Sequence, residues 1–132
     1  MTKATLTKEI SVETPNATGI AAKLSELVSK QAKANIRSVW AAGTNGKGHF
    51  SLITDNNQKV IEVLKGEYPD TKEREVLVLS TQNNIGKIAE VTNKLSQAGL
   101  NIDYLYTTYL EENPAIVIST SDNKKAAELF NK

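Results

Sequence analysis

The sequence predicts an α+β fold: two ferredoxin-like βαββαβ repeats with antiparallel sheets and helices on one face. Three observations lead there. Landmarks recur at a near-constant offset: Gly19 and Gly86 lie 67 positions apart, Asn35-Ile36 and Asn101-Ile102 lie 66 apart, and Thr54-Asp55 and Ser121-Asp122 lie 67 apart. Each half runs through the same order of strand, helix, strand, strand and helix patterns. Between them, residues 66–73 hold a glycine and a proline and no aliphatic residue. The division is placed there, as repeats 1–68 and 69–132.

The elements follow in order. Ile10 and Val12 alternate with Glu9, Ser11 and Glu13, the period of a half-buried strand; residues 76–79 are the counterpart. Pro15, Asn16 and Gly19 then make a turn, matched by Asn83, Asn84 and Gly86. Ala21, Leu24 and Val28 recur at helical spacing, as do Ile88, Val91 and Leu95, and Gly99 suits a helix stop. Second strands are expected over 36–42 and 102–109, third strands over 50–54 and 115–120, and second helices over 57–65 and 123–130. Asn45-Gly46 fits the primed turn of a two-residue hairpin.

The fourth strand is the weak point. In the first half it must come from the charged residues 67–74 or merge with the next strand, and in the second half it is expected to be short or missing. One repeat alone buries only about 60% of its unfolded surface, so the two are expected to share an interface. Residues 76–79 and 116–118 are apolar on both strand faces, as in strands covered on both sides. That predicts a homodimer through the second repeat.

Composition excludes several function classes. Sixteen basic and fifteen acidic residues give a formal charge of +1, too little to draw DNA, a membrane surface or an acidic polymer. With no cysteine, a single histidine and no spaced carboxylate pair, neither a metal site, a cofactor site nor a catalytic centre is expected. The N-terminal MTKATLTKEI lacks the apolar core of a signal peptide and no run reaches membrane-spanning length, so a cytoplasmic location is expected. Gly43-Thr-Asn-Gly-Lys-Gly48 lacks the spacing of a phosphate loop and reads as a hairpin turn. Lys47-Gly-His-Phe-Ser51 partly matches the third-strand pattern of RNA-recognition modules, but the first strand has no aromatic residue to complete a stacking platform. His49 is read as a surface or hairpin residue, the equivalent pair Trp40 and Tyr106 as packing residues, and Lys87 as an exposed first-turn lysine that could also assist a carboxylate.

The turns Asn16-Ala-Thr-Gly19 and Asn83-Asn-Ile-Gly86, each followed by a helix and then by Ala34-Asn35-Ile36 or Ala98-Gly-Leu-Asn-Ile102, carry a resemblance. From about Lys8 to Phe130 the chain resembles tandem ACT-domain proteins, regulatory modules that bind amino acids. The family's turn commonly reads Asn-x-Pro-Gly; here Thr18 and Ile85 stand in the proline's place.

The corner suits a zwitterion. A helix start offers unpaired N–H groups and partial positive charge to a carboxylate. Glycine lets a ligand approach the backbone, and an Asn amide can accept from the ammonium. The resemblance implies a ligand between neighbouring modules. One site would join Asn16, Thr18 and Gly19 with Asn101; the other would join Asn83, Asn84, Ile85 and Gly86 with Asn35. The competing reading gives the same residues a structural task, since Asn forms turns and caps helices and Gly adopts positive φ. The expected function is a non-catalytic regulatory protein that binds an amino acid and signals to a separate protein partner. The alternatives are a structural interaction module with vestigial sites and an RNA-binding module of like topology.

Overall fold

The computed structural model describes residues 2–131. In chain order the elements are β1 (Lys3–Pro15), α1 (Ile20–Glu26) running into a π-helical turn (Leu27–Gln31), β2 (Ile36–Thr44), β3 (Lys47–Thr54) and α2 (Asn57–Lys65). They continue as β4 (Lys72–Ser80), α3 (Lys87–Gln97), β5 (Ile102–Leu110), β6 (Asn113–Thr120) and α4 (Asn123–Phe130). Two compact units result. One is Lys8–Arg74; the other combines the residues up to Thr7 with those from Glu75 onward.

In the Lys8–Arg74 unit the strands lie in the order β2-β3-β1. β1 and β3 are antiparallel with Ile10 opposite Leu52 and Val12 opposite Phe50. These four alternate residues form one face, and Leu24, Val28, Val60 and Leu64 of the helices close over it. α2 is started by Asn56, whose side chain accepts from the Lys59 N–H. The fourth-strand position is met by the merger foreseen for this half: Lys72-Glu73-Arg74, the opening of β4, belongs to this unit.

In the other unit β4, β6 and β5 are neighbours in that order. Leu77 stands opposite Ile118 and Leu79 opposite Ile116, with Val91, Leu95, Ala126 and Phe130 packed on them. The first residues of β1 belong here. Ala4 is part of this core, and the Asn131 side chain grips its backbone, accepting from its N–H at 2.9 Å and donating to its carbonyl at 2.9 Å. The chain's beginning, beside β4, thus fills the place a fourth strand would take.

The helices account for the one-residue drift in the repeat. Sixteen positions separate Gly19 from Asn35, but fifteen separate Gly86 from Asn101. The extra residue is absorbed where the Ala32 N–H donates to the Leu27 carbonyl, five residues back, a π-turn. After it the offset stays at 66. Thr54 and Thr120 make the same bonds, each donating from its backbone N–H and its hydroxyl, to Asn57 Oδ1 and to Asn123 Oδ1 respectively. The match of Thr54-Asp55 with Ser121-Asp122 is therefore corrected by one residue: Thr54 corresponds to Thr120 and Asp55 to Ser121.

The strands of the two units differ on the face away from the helices. In the second unit Val76, Val78 and Val117 are buried within the single chain, and Tyr106, in register with Val117, stacks on Tyr104. Burial of these valines therefore does not by itself require a second copy. In the first unit the matching face buries polar groups: Ser11 opposes Ser51, and Glu9 has no exposed surface.

Candidate functional site

Both turns singled out in the sequence end in a glycine that caps a helix from the left-handed region. Gly19 has φ 89° and Gly86 has φ 85°, and neither α1 nor α3 has a side-chain cap. A residue with a Cβ is strained there. The other two helices are closed in the ordinary way, α2 by Asn56 and α4 by Asp122, whose side chain accepts from the Lys125 N–H. So the first helix of each unit, and not the second, presents a first turn whose amides no side chain covers; its leading amide, that of Ile20 or Lys87, donates to the carbonyl of Ala17 or Asn84 at 3.3 Å.

Beside each of these uncapped starts lies a cleft. In the first unit it is about 210 Å³ and bounded by Thr14, Asn16, Ala17, Ile20, the β2 end Ala41–Gly43, and Phe50. The second measures about 150 Å³ and is bounded by Thr81, Asn83, Asn84, Lys87, Ile88, the β5 end Thr107–Tyr109, and Ile116. A cavity of about 150 Å³ accommodates a benzene-sized molecule, so either is on the scale of a small metabolite. The geometry is a consequence of the fold. β3 is antiparallel to both β1 and β2, and β6 to both β4 and β5. β2 and β5 therefore run parallel to the strand preceding the helix, and their C-terminal ends reach the same edge as the turn. The Asn16 N–H fixes this by donating to the Gly46 carbonyl at 3.0 Å.

The structure brings together some of the expected residues and separates others. Asn16, Asn83 and Asn84 line the clefts. Gly19 and Gly86 set the helix starts. Thr18 is exposed, and Ile85 projects fully into solvent at 104% relative exposure. Asn35 and Asn101 stand at the opposite ends of β2 and β5. The Asn35 N–H donates to Asp55 Oδ1 and its carbonyl accepts from the Asp55 N–H; Asn101 makes the same pair of bonds with Ser121. Strand rise of about 3.3 Å per residue puts them over 20 Å from the corner of their own unit. No site inside one unit contains both.

Sequence reasoning missed the strand-end residues Ala41–Gly43 and Thr107–Tyr109. Their signal was available: in a strand–helix–strand crossover the second strand runs parallel to the first, so it must end at the edge where the preceding turn begins. It also missed the surroundings of His49, whose Nε2 is 3.2 Å from Ser51 Oγ and 3.4 Å from Arg74 Nη2, with Trp40 packed edge-on at 5.7 Å. Burial and the Arg74 charge hold its pKa below the usual value. Phe50, the aromatic of the partial RNA-recognition pattern, is buried in the helix-side core and cannot stack on a base. Among the described residues, no cluster of His, Cys, Asp and Glu could hold a metal ion and no helix is long and apolar enough to cross a membrane.

A family model described as an ACT domain pair matches residues 5–131. Among solved structures, a protein of Bacteroides thetaiotaomicron is similar at a TM-score of 0.84 and 24% identity, over 96% of this chain and 87% of that one. The ligand-free regulatory subunit of aspartate kinase from Thermus thermophilus is similar at 0.70 and 14% identity, over 98% and 94% of the respective chains. The corresponding subunit from Thermus flavus gives 0.64 and 16%, with the same coverage. At these identities the likeness is one of fold. No match is found among curated proteins.

Proposed function

The chain belongs to the ACT-domain-pair family, and from that premise we propose that it is a non-catalytic regulatory protein that binds an amino acid at a glycine-led corner and passes the event to a partner protein. One observation carries the reading: α1 and α3 both begin on a left-handed glycine without a side-chain cap and beside a cleft, while α2 and α4 are capped. A ligand carboxylate meets the first-turn amides and the positive end of the helix, and an Asn amide accepts from the ammonium. As the family resemblance implies, a second-strand Asn of a neighbouring module, Asn101 or Asn35, completes the site. The neighbour is another ACT module, with a homodimer through the second repeat as the expected assembly.

The regulatory-subunit relatives support the direction of the output. Their names state regulation of a kinase; for this chain the partner is a protein of the same general standing, one whose state changes when the corner is filled. Binding can act only if the ligand prefers one arrangement of the modules over another.

A thermal-shift screen against the twenty amino acids tests this. At a hundred times its Kd a ligand adds about 2.7 kcal/mol of stability, visible as a shift of several degrees. At least one amino acid is expected to raise the melting temperature in a saturable way. A folded protein indifferent to all twenty would leave the structural-module reading in its place.

A further inference from the structure

The two corners share a backbone plan but differ in chemistry. The first is walled by Ile20, Ala41 and Ala42, and the Asn16 amide lies over Gly43, where a Cβ would come within 2.5 Å of Nδ2. At the corresponding positions the second has Lys87, Thr107, Thr108 and Tyr109. Lys87 is the one cationic residue in the described lining of either cleft. Its side chain is only 16% exposed, and Nζ is 3.1 Å from Oε2 of Glu90, itself 65% exposed. An exposed carboxylate at i+3 is a weak holder of that ammonium, because water screens the pair. A ligand carboxylate in the cleft has the stronger claim, since it meets a less solvated cation in a charge-assisted hydrogen bond. The place of Gly43 is taken by Tyr109, whose Cβ denies Asn83 the seat that Asn16 occupies and leaves its amide to the ligand.

Building on the proposed function, we infer that the corners are not equivalent: the second is the stronger carboxylate site, with Lys87 as its specificity-determining residue, and the first, with Ile20 in that place, holds an anion more weakly. The chain therefore binds one carboxylate ligand tightly, and recognises it partly through a residue whose counterpart, Ile20, cannot do so.

Calorimetric titration of the intact protein with each of the twenty amino acids, and of any that bind with the matching carboxamide, tests this. One tightly bound equivalent per chain is expected, with the carboxamide at least tenfold weaker. Lys87→Met is expected to weaken binding about tenfold to a hundredfold, the range of a hydrogen bond to a charged group, and Lys87→Arg to retain most of it. Glu90→Gln, which frees the ammonium, is expected to bind at least as tightly as the wild type. A purely structural ion pair would show the opposite: both variants less stable, neither changed in affinity for the amino acid over its carboxamide. That result, or two equal sites per chain, overturns the inference and leaves amino-acid binding standing. Binding of no amino acid overturns the proposed function itself, and the inference with it.

Discussion

The side-chain amide of Asn16 lies directly over the α-carbon of Gly43, so close that a Cβ built there would sit 2.5 Å from Nδ2 and 2.8 Å from Oδ1. The contact ties the turn before α1 to the end of β2 and fills part of the first cleft. Gly43→Ala must displace one or the other. Asn16 is exposed and its side chain is free to rotate, so it should give way at a cost within about 1 kcal/mol, the scale of a surface change. Chemical denaturation should register little, while the Asn16 side-chain amide resonances should move. A loss of several kcal/mol would mean that the backbone is the part forced to yield.

Arg74 Nε lies 3.0 Å from Glu9 Oε1, and the Glu9 side chain has no exposed surface. Nη2 of the same guanidinium donates to Ser51 Oγ at 2.7 Å. Removing one partner of a buried pair costs more than the pair contributes, because a carboxylate is left in low dielectric. Arg74→Met should therefore destabilise by on the order of 3 kcal/mol, read from the urea midpoint, and a second change, Glu9→Gln, should recover part of it. Equal midpoints for Arg74→Met and wild type would show that the guanidinium is not what makes this carboxylate tolerable.

His49 gives the pH dependence a definite sign. Burial lowers its pKa first and the Arg74 charge second, with Lys72 adding to the lowering and Glu13 and Glu9 opposing it. The folded protein thus takes up the proton less readily than the unfolded chain, whose histidine titrates near 6.5. Between those two values the unfolded state binds more protons, so stability falls as pH drops below about 6.5 and stops falling, for this group, beneath the folded value. His49→Gln should flatten that part of the stability profile. A wild-type profile already flat from neutral pH to pH 5 would contradict the assignment.

Regular elements were legible because their signals are local. Alternation at Ile10 and Val12, the helical spacing of Val91 and Leu95, and the Asn45-Gly46 turn each lie within a few residues, and the last adopts φ 51° and 77° as a primed turn needs. Gly99, read as a helix stop, is left-handed, with the Leu100 N–H returned to the Leu95 carbonyl. What escaped is non-local. Nothing in Lys3–Thr7 announces that Ala4 enters the core of the distant second repeat, since the residues that receive it come after position 75. The Arg74–Glu9 pair spans 65 positions. At the candidate site the turn and its glycine were readable, but the strand ends that wall the clefts appear only when the strands are folded back.

The second hairpin breaks the turn rule that the first obeys. Glu111 and Glu112 take φ 53° and 68°, where the first hairpin has Asn45 and Gly46. Side chains beyond glycine and asparagine are strained in this region by roughly 1–2 kcal/mol each. Replacing the pair with Asn-Gly should raise stability by about 1 kcal/mol or more, seen as a higher melting temperature with unchanged amino-acid response. A lower melting temperature would mean that the glutamates make contacts worth more than the strain.

The central claim, that uncapped helix starts hold the ligand, is tested most directly by amide chemical shifts during titration with an amino acid that raises the melting temperature. The largest changes are predicted in the first turns of α1 or α3, at Ile20–Ala22 or Lys87–Ala89, with Asn16 or Asn83 moving alongside. Saturable changes centred instead on the capped starts of α2 and α4, at Asn57–Lys59 or Asn123–Lys125, with both glycine-led turns unmoved, would contradict it.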